Sequence, residues 1–463
     1  LAHILLSRGV AVSGSDRAAS PLTDKLAAAG ARIAIGHDEV HVAQPDWVVY
    51  SGAIPSSNPE RQAAAAKGIP QMDRASLLGQ VMKCYRDSVS VAGSHGKTTT
   101  TALLSMLLEW SGLDPTILVG GELESIGGNV KVGTSPLLVT EACEYQASFL
   151  RFPARIGIVL NIDLDHLDYF KDLAAVQAVF GQFAAQLPPE GLLVMPAWEA
   201  NSTPLKALAP CRVVMVGVRE DPGNTAGSAA FSAADLTASE LLVESGGRWS
   251  FQLHRRGQDL GRFLLGIPGR HNVHNALAAL AVALELGLEP DSLRNLLPRF
   301  TGIHRRFEVH GSWNEVTVVD DYAHHPAEIR ATLLAAREVL AGTPRRKAGG
   351  EGRVICVFQP HTYTRTRALL QDFATALSLA DLVVVTDIYA AREPDEGLVH
   401  SRDLVDLIRT AGTRAVYGPD YSAAAQAAVQ QAAPGDLVMT MGAGPVNETV
   451  PLLRRLLLEE TRA

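Results

Sequence analysis

The sequence predicts an α/β protein in which parallel sheets are covered by helices. Three observations support this class. Short apolar runs that end on polar residues alternate with helical patterns along the whole chain. A glycine-rich turn at residues 93–96 joins one such run to a helix, as phosphate-binding loops do. The chain has 463 residues, 47% hydrophobic and 19% charged, which is enough for two or three globular domains.

Composition argues against several classes of function. The formal net charge is −8 and no long basic run occurs, which disfavours nucleic acid or an acidic membrane as the main partner. No apolar run reaches the roughly 18 residues of a membrane span, and no signal peptide is visible. The four cysteines are scattered without a CxxC pair, so we expect reduced thiols in a cytoplasmic protein.

The first block, residues 1–86, opens like the second half of a Rossmann-type unit. A helix predicted over residues 1–8 is followed by a strand over residues 10–15 that closes on Asp16. The first strand of such a unit, with its glycine loop, would precede residue 1. We therefore expect this domain to be N-terminally incomplete.

The second block, residues 87–301, contains the predicted phosphate-binding loop. A strand leads into Gly-Ser-His-Gly-Lys97-Thr98, and a helix follows over residues 102–110. The turn and the helix N-terminus present N–H groups to an anion, Lys97 can reach the β- and γ-phosphates, and the Thr98 hydroxyl can hold Mg²⁺. The full pattern would have a glycine where Val91 stands. We expect nucleotide binding, with Lys97 as an exposed side chain that adds little to stability.

Acidic residues follow the next two predicted strands, at the edge where open α/β sheets bind ligands. The strand over residues 137–140 ends on Glu141, which can hold a metal beside the phosphate loop. The strand over residues 156–160 leads into Asn161-Ile-Asp-Leu-Asp-His166-Leu-Asp. Crowding of three carboxylates around one imidazole predicts a second divalent cation there.

Two further candidate sites lie in and after this block. Asn272 and Asn275 open an Ala-rich helix over residues 269–283, and their amides suit an adenine edge. Arg306 lies at the hinge that leads into the third block, where a planar guanidinium could close on a γ-phosphate.

The third block, residues 302–463, repeats the α/β rhythm. Asp321 and His324 follow a strand over residues 316–319, and Pro326 holds the adjacent histidine pair in a turn. His361 and Arg365 follow a strand over residues 354–358, where their donors could hold a small carboxylate.

These motifs together resemble the Mur ligase family, and the resemblance covers the whole chain in order. The segments that carry it are residues 93–98, 161–166, 269–275, 320–326 and 359–365. The resemblance implies ATP-dependent ligation of L-alanine to the lactyl carboxylate of UDP-N-acetylmuramate through an acyl phosphate, in peptidoglycan synthesis. It implies a UDP-substrate domain at residues 1–86, an ATP-binding domain at 87–301 and a Rossmann-like amino-acid domain at 302–463. Because the first strand and glycine loop would be missing, we expect the chain to bind ATP but UDP-N-acetylmuramate poorly.

The resemblance also implies a role for each candidate residue. ATP is assigned to Gly93, Ser94, His95, Gly96, Lys97, Thr98, Thr99, Asn272 and Asn275. Mg²⁺ is assigned to Thr98, Glu141 and His166, the transferring phosphate to Arg306, and the nucleotide or incoming amine to Asp321. L-Alanine is assigned to His324, His361 and Arg365, and the UDP substrate to Asp16 and Ser51.

Four positions depart from patterns known in the family. Cys143 and Thr362 stand where many members carry Asp and Arg, and Pro445 stands where Asp is usual. Gly181 stands where some members carry a carbamylated lysine, so that group is not invoked. Three alternatives stay open on the residues alone: a motor or switch NTPase, a non-catalytic nucleotide-binding protein, and a related ligase for another amino acid.

Overall fold

The computed structural model describes residues 1–166, 169–219, 234–342 and 352–460. Within these residues the strands form sheets of ten and six strands and two separate two-stranded sheets. No helix of this part of the chain is long and apolar enough to cross a membrane.

The helices and strands have the following bounds. The strands are β1 Ser13–Asp16, β2 Arg32–Ile35, β3 Val48–Tyr50, β4 Gln71–Asp73, β5 Asp87–Ala92, β6 Thr116–Leu123, β7 Gly128–Lys131, β8 Leu137–Glu141, β9 Ile156–Val159, β10 Leu192–Pro196, β11 Arg212–Val218, β12 Leu236–Val243, β13 Arg248–Arg255, β14 Gln258–Pro268, β15 Glu308–Trp313, β16 Val316–Asp321, β17 Val354–Phe358, β18 Leu382–Val385, β19 Arg414–Tyr417 and β20 Leu437–Met441. The α-helices are α1 Ala2–Ser7, α2 Pro21–Ala28, α3 Pro59–Ala66, α4 Arg74–Met82, α5 Lys97–Trp110, α6 Leu173–Ala185, α7 Leu205–Leu208, α8 His271–Glu285, α9 Pro290–Leu296, α10 Pro326–Ala341, α11 Tyr363–Ala368, α12 Leu370–Leu377, α13 Ser401–Thr410, α14 Tyr421–Val429 and α15 Thr449–Glu460.

The phosphate loop follows β5, an inner strand of the ten-stranded sheet. The strand order of this sheet is β14-β13-β12-β11-β10-β9-β5-β8-β6-β7, and the run from β12 to β6 is parallel. All six residues of β5 are buried, as expected for a strand paired on both sides and covered on both faces. Because β8, β5 and β9 are parallel neighbours, the residues after them meet at one edge.

The ends of this sheet differ from the prediction of purely parallel sheets. β6 pairs with β7, β12 with β13 and β13 with β14 in antiparallel fashion. The β13–β14 connection is a tight turn around Arg256 and Gly257, both at positive φ, so these strands need no crossover helix. The parallel prediction is wrong for these strands, and it holds for the strands next to the phosphate loop.

The third block forms the six-stranded sheet, in the order β15-β16-β20-β17-β18-β19. Its strands are parallel except for the β15–β16 pair. The residues after β16 and β17 therefore meet at one edge, as those after β5, β8 and β9 do in the larger sheet.

The first block carries two short parallel pairs, β1–β2 and β3–β4. α1 and β1 lie where a helix and a strand were predicted, although β1 begins at Ser13 rather than at residue 10.

Two helices of the central block bring the predicted nucleotide residues together. α5 and α8 pack against each other, and Leu103, Leu107, Leu277 and Leu280 are buried in the core they share. This packing places the first turn of α8 beside the phosphate loop.

Candidate active site

The phosphate loop ends in Gly96, which begins α5 with φ +84°. No side chain caps α5, so the first N–H groups of the helix remain available to an anion. A Cβ on residue 96 would lie 2.5 Å from Oδ1 of Asn275, so only glycine fits between the loop and α8. The loop therefore has the shape and the free donors that a phosphate chain requires.

The segment after β9 holds this loop in place. The Asn161 side chain accepts from the His95 N–H at 2.8 Å and donates to the His95 carbonyl at 3.1 Å. Ser94 donates from its hydroxyl to the Asp163 carbonyl and accepts from the Asp163 N–H. Four hydrogen bonds thus fix the loop conformation from a neighbouring strand end.

Lys97 is folded back onto its own loop. Its Nζ donates to the carbonyls of Gly93 and Ser94, at 2.5 and 3.0 Å, and to the Glu144 carboxylate at 2.9 and 3.1 Å. The Lys97 and Glu144 side chains are 15% and 2% exposed. The prediction that Lys97 is exposed is wrong, because the carboxylate of Glu144 draws the ammonium inward. Burial alone would lower the pKa of Lys97, but the charge and hydrogen bonds of Glu144, together with the nearby Cys143 and Glu141, raise the pKa above its ordinary value.

A cavity of about 280 Å³ opens beside the loop, between the central block and the third block. Asn272 and Asn275 line it, and their amides are oriented by a chain of hydrogen bonds. Asn275 donates to Oδ1 of Asn272 at 3.0 Å, and Asn272 donates to the Pro268 carbonyl at 2.7 Å. Both amides thus line the same cavity as His95 and Gly96 of the loop, and their assignment to the nucleotide remains a prediction.

Asp321 and Arg306 line the same cavity from the third block. Asp321 is 6% exposed and accepts from the N–H groups of Phe307 and Ala323, at 2.7 and 2.8 Å. Burial raises the pKa of Asp321 to about 6, although the Arg306 charge and these N–H groups oppose the shift. A buried carboxyl that titrates near neutrality is suited to proton transfer.

Arg305, the neighbour of Arg306, is bound to the six-stranded sheet and the segment that follows it. Its guanidinium bonds Asp320 at 2.8 Å and the carbonyls of Gly442 and Gly444 at 2.6 and 2.9 Å. Arg305 therefore ties the hinge to the six-stranded sheet and leaves Arg306 to face the cavity.

The predicted magnesium ligands lie around the phosphate loop. Glu141 pairs with Val91 in the β5–β8 register and accepts from the Gly120 N–H at 2.5 Å. Thr98 lies in the first turn of α5, which follows β5. The Thr98 hydroxyl and the Glu141 carboxylate therefore lie at the same edge of the sheet, and such oxygens suit Mg²⁺. His166 lies with Nε2 3.8 Å from Glu144 and fits less well, because Mg²⁺ prefers oxygen ligands. Asp168, the last of the three predicted carboxylates, lies outside the described residues.

The predicted carboxylate-binding donors of the third block are close together. Arg365 bonds Oδ1 of Asp165 at 3.0 Å through Nη2 and lies 3.4 Å from Nδ1 of His361 through Nη1. The rings of His324 and His361 are 6.1 Å apart. Burial, with the nearby charges of His324 and Arg365, lowers the pKa of His361 to about 4, so this imidazole is neutral at physiological pH.

His95 of the phosphate loop bridges the two blocks. Its Nδ1 lies 3.3 Å from Glu328 of α10, and its Nε2 lies 3.5 Å from Asp163. Burial alone would lower the pKa of His95, but the two carboxylates raise it to about 9.

Asp16 and Ser51 lie away from this cavity, in the first block. Both are exposed or nearly so, and Oδ1 of Asp16 accepts the N–H of Ala18. Among the described residues, neither lines the cavity, so their assignment to the UDP substrate remains a prediction.

Sequence reasoning missed several residues of this site. They are Glu144, Trp198, Glu199 and Glu328. Asp165 was predicted as one of three carboxylates near a cation, and the structure pairs it with Arg365. Only Glu328 had a local signal, because an acid at the third position of a helix after a polar N-cap marks a capping box. Trp198 packs 4.2 Å from the His274 ring, and Oε2 of Glu199 is buried without a hydrogen-bond partner in the described residues.

Family models match the three blocks in chain order. "Mur ligase family, catalytic domain" matches residues 1–86, "Mur ligase middle domain" matches 91–283, and "Mur ligase, glutamate ligase domain" matches 305–444. The chain belongs to the Mur ligase family. It is therefore an ATP-dependent ligase.

Relatives with assigned names are similar to this Mur ligase over nearly its whole length. A UDP-N-acetylmuramate–L-alanine ligase from Alkaliphilus metalliredigens is 47% identical, covering 99% of this chain and 94% of the relative. One of the same name from Caldanaerobacter subterraneus is 46% identical, covering 97% and 93%. A solved structure of a UDP-N-acetylmuramate–alanine ligase from Thermotoga maritima superimposes with a TM-score of 0.78 at 26% identity, covering 99% and 95%.

Proposed function

We propose that this Mur ligase joins L-alanine to the lactyl carboxylate of UDP-N-acetylmuramate, with ATP as the energy source, in peptidoglycan synthesis in the cytoplasm. The observation that carries the proposal is the 47% identity, over 99% of the chain, to a relative that bears this name. In this proposal residues 1–86 bind the UDP substrate, 87–301 bind ATP and 302–463 bind the amino acid.

The chemistry has to overcome the low electrophilicity of a carboxylate. Transfer of the γ-phosphoryl group to the lactyl carboxylate gives an acyl phosphate, which the amine of L-alanine attacks with release of phosphate. Mg²⁺, held by Thr98 and Glu141 with His166 nearby, would neutralise phosphate charge. Lys97 has to leave Glu144 to reach the phosphates, and Arg306 supplies a second positive charge from the opposite wall of the cavity.

The residues assigned to L-alanine support the second step, in which its amine attacks the acyl phosphate. Arg365 and His361 form a polar pair that suits the carboxylate of a small amino acid. Asp321, whose pKa is raised to about 6, accepts a proton from the incoming amine in this scheme. The contacts His95–Glu328 and Arg365–Asp165 close the third block onto the central block, which keeps water from the acyl phosphate.

The test is an amino-acid panel with the purified enzyme, ATP, Mg²⁺ and UDP-N-acetylmuramate, followed by mass spectrometry and phosphate release. We expect product with L-alanine in preference to other amino acids, and phosphate release that needs both co-substrates. ATP hydrolysis without co-substrates would favour a motor or switch NTPase, and ATP binding without product would favour a non-catalytic protein. Preferred product formation with another amino acid would point to a related ligase.

A further inference from the structure

Three metal-ligating side chains meet at the junction of the central and third blocks. His95 comes from the phosphate loop, Asp163 from the segment after β9, and His325 from the N-cap of α10. We refer to these three residues as the junction cluster. Asp163 belongs to the segment that the sequence predicts to hold a second divalent cation, whereas His95 and His325 were not assigned to a metal.

The distances within the junction cluster suit a cation. One ligand atom from each residue lies within 4.8 Å of the other two, and Nε2 of His95 lies 3.5 Å from Oδ2 of Asp163. Two ligands of a tetrahedral zinc ion, at about 2.0–2.1 Å from the metal, stand about 3.4 Å apart. The His95–Asp163 pair is already near this spacing, and His325 needs a shift of little more than an ångström.

The His95 ring is oriented for coordination. Its Nε2 is buried and makes no hydrogen bond within the described residues. Its Nδ1 faces Oε1 of Glu328 at 3.3 Å. Glu328 is itself fixed, because its other oxygen accepts the N–H groups of His324 and His325. In many metal sites a carboxylate accepts a hydrogen bond from one nitrogen of a histidine, and the other nitrogen binds the metal.

We propose that the junction cluster binds a transition-metal cation of the Zn²⁺ or Co²⁺ type. Two imidazoles and one carboxylate bind Zn²⁺ or Co²⁺ in preference to Mg²⁺. Three protein ligands leave a fourth position for water or a substrate oxygen. The bound cation replaces the proton on Nε2 of His95. Since its ligands come from both blocks, it cross-links the phosphate loop to α10 and holds the cleft closed.

The test uses the 463-residue chain without nucleotide or Mg²⁺, titrated with CoCl₂ by visible absorption and with ZnCl₂ by calorimetry. We expect one strong site per chain, with the intense d–d bands of a four-coordinate Co²⁺ and no sulfur charge-transfer band. Glu328→Gln, which keeps the ligands but weakens the support of His95, should lower affinity about 10–100-fold. His325→Ala should lower it at least as much.

A second group of donors provides the matched control. Glu308, His310 and Asp320 also lie close together, but Arg305 already pairs with Asp320. His310→Ala should therefore leave the strong site unchanged, and the ATP affinity of each variant reports whether it is folded. The proposal is overturned if no strong site is found, if His325→Ala and Glu328→Gln both bind as the wild type does, or if His310→Ala removes the site.

Discussion

Arg365 of α11 and Asp165 of the segment after β9 form a salt bridge of 3.0 Å across 200 residues of sequence. Their side chains are only 14% and 9% exposed. Burial alone would raise the pKa of Asp165, but Arg365 and His166 lower it well below its ordinary range. An arginine predicted to bind the amino acid is thus anchored by a carboxylate of the ATP-binding block.

Replacing that carboxylate should affect the amino acid more than the nucleotide. In Asp165→Asn the guanidinium loses its charged anchor, so we expect KM for L-alanine to rise about tenfold, equivalent to ~1.4 kcal/mol. KM for ATP should change less than about twofold, and Arg365→Ala should raise KM for L-alanine further. Glu393→Gln is the control, because Glu393 bonds Thr364 of the same helix at its exposed side. A larger effect on ATP than on L-alanine would show that the bridge serves the nucleotide.

Variants of Lys97 and Glu144 should distinguish the catalytic role of the lysine from its contribution to stability. Lys97→Ala removes a charge that stabilises phosphoryl transfer, so we expect kcat to fall about 10²-fold or more. It also leaves Glu144 buried without its partner, which costs about 3 kcal/mol of unfolding free energy. The double variant Lys97→Ala/Glu144→Gln should regain much of that stability in urea unfolding but none of the activity. Equal stability of the single and double variants would contradict the buried pair.

Replacing Gly96 tests whether the phosphate loop lies too close to α8 for a side chain, and Gly112 provides the control. Gly96 and Gly112 flank α5 with φ of +84° and +81°. A Cβ at residue 112 meets nothing within 4 Å, whereas one at residue 96 meets Asn275. Both alanine variants should lose about 1–2 kcal/mol from left-handed strain. Only Gly96→Ala should also lose ATP affinity, by calorimetry, and similar ATP binding by the two variants would argue against the assignment of Asn275.

Asp321 should make stability depend on pH. Its pKa is about 6 when folded against an ordinary value of 3.8, so ionisation disfavours the folded state. The carboxyl therefore favours folding fully below about pH 4, and this contribution is lost as the pH rises to about 6, by at most about 3 kcal/mol. Arg306 and the N–H groups of Phe307 and Ala323 oppose the shift, while Glu328 adds to it.

The measurement is urea unfolding of wild type and Asp321→Asn at several values between about pH 4 and pH 7. The amide that replaces the carboxyl cannot ionise, so the variant should gain stability relative to wild type as the pH rises. Asp46→Asn, in the first block and away from the cavity, serves as the control. A constant difference between Asp321→Asn and wild type across this range would contradict the raised pKa.

Local sequence patterns were enough to predict much of the fold and part of the candidate site. β8, β9, β16 and β17 begin where the apolar runs begin and end within about two residues of the predicted ends, because a buried parallel strand is marked by its own composition. The phosphate loop was found for the same reason, since its glycines and Lys97-Thr98 are contiguous.

The remaining features depend on partners that are distant in sequence. β13 alternates Trp249, Phe251 and Leu253 with polar residues, a strand signal, but its antiparallel pairing depends on the neighbours it meets. The direction of the Lys97 side chain is decided by Glu144, which arrives from another strand end. The Asp165–Arg365 pair joins two sheets, and neither local segment predicts the other.

The position of β5 inside the sheet should affect the order in which backbone amides exchange with solvent. Its amides lie between β8 and β9, so they exchange only when the ten-stranded sheet opens between these strands. β1–β2 and β3–β4 are isolated pairs with partly exposed residues, and their amides should exchange much earlier. Deuterium uptake should therefore spread from the first block inward and reach the residues before the phosphate loop last.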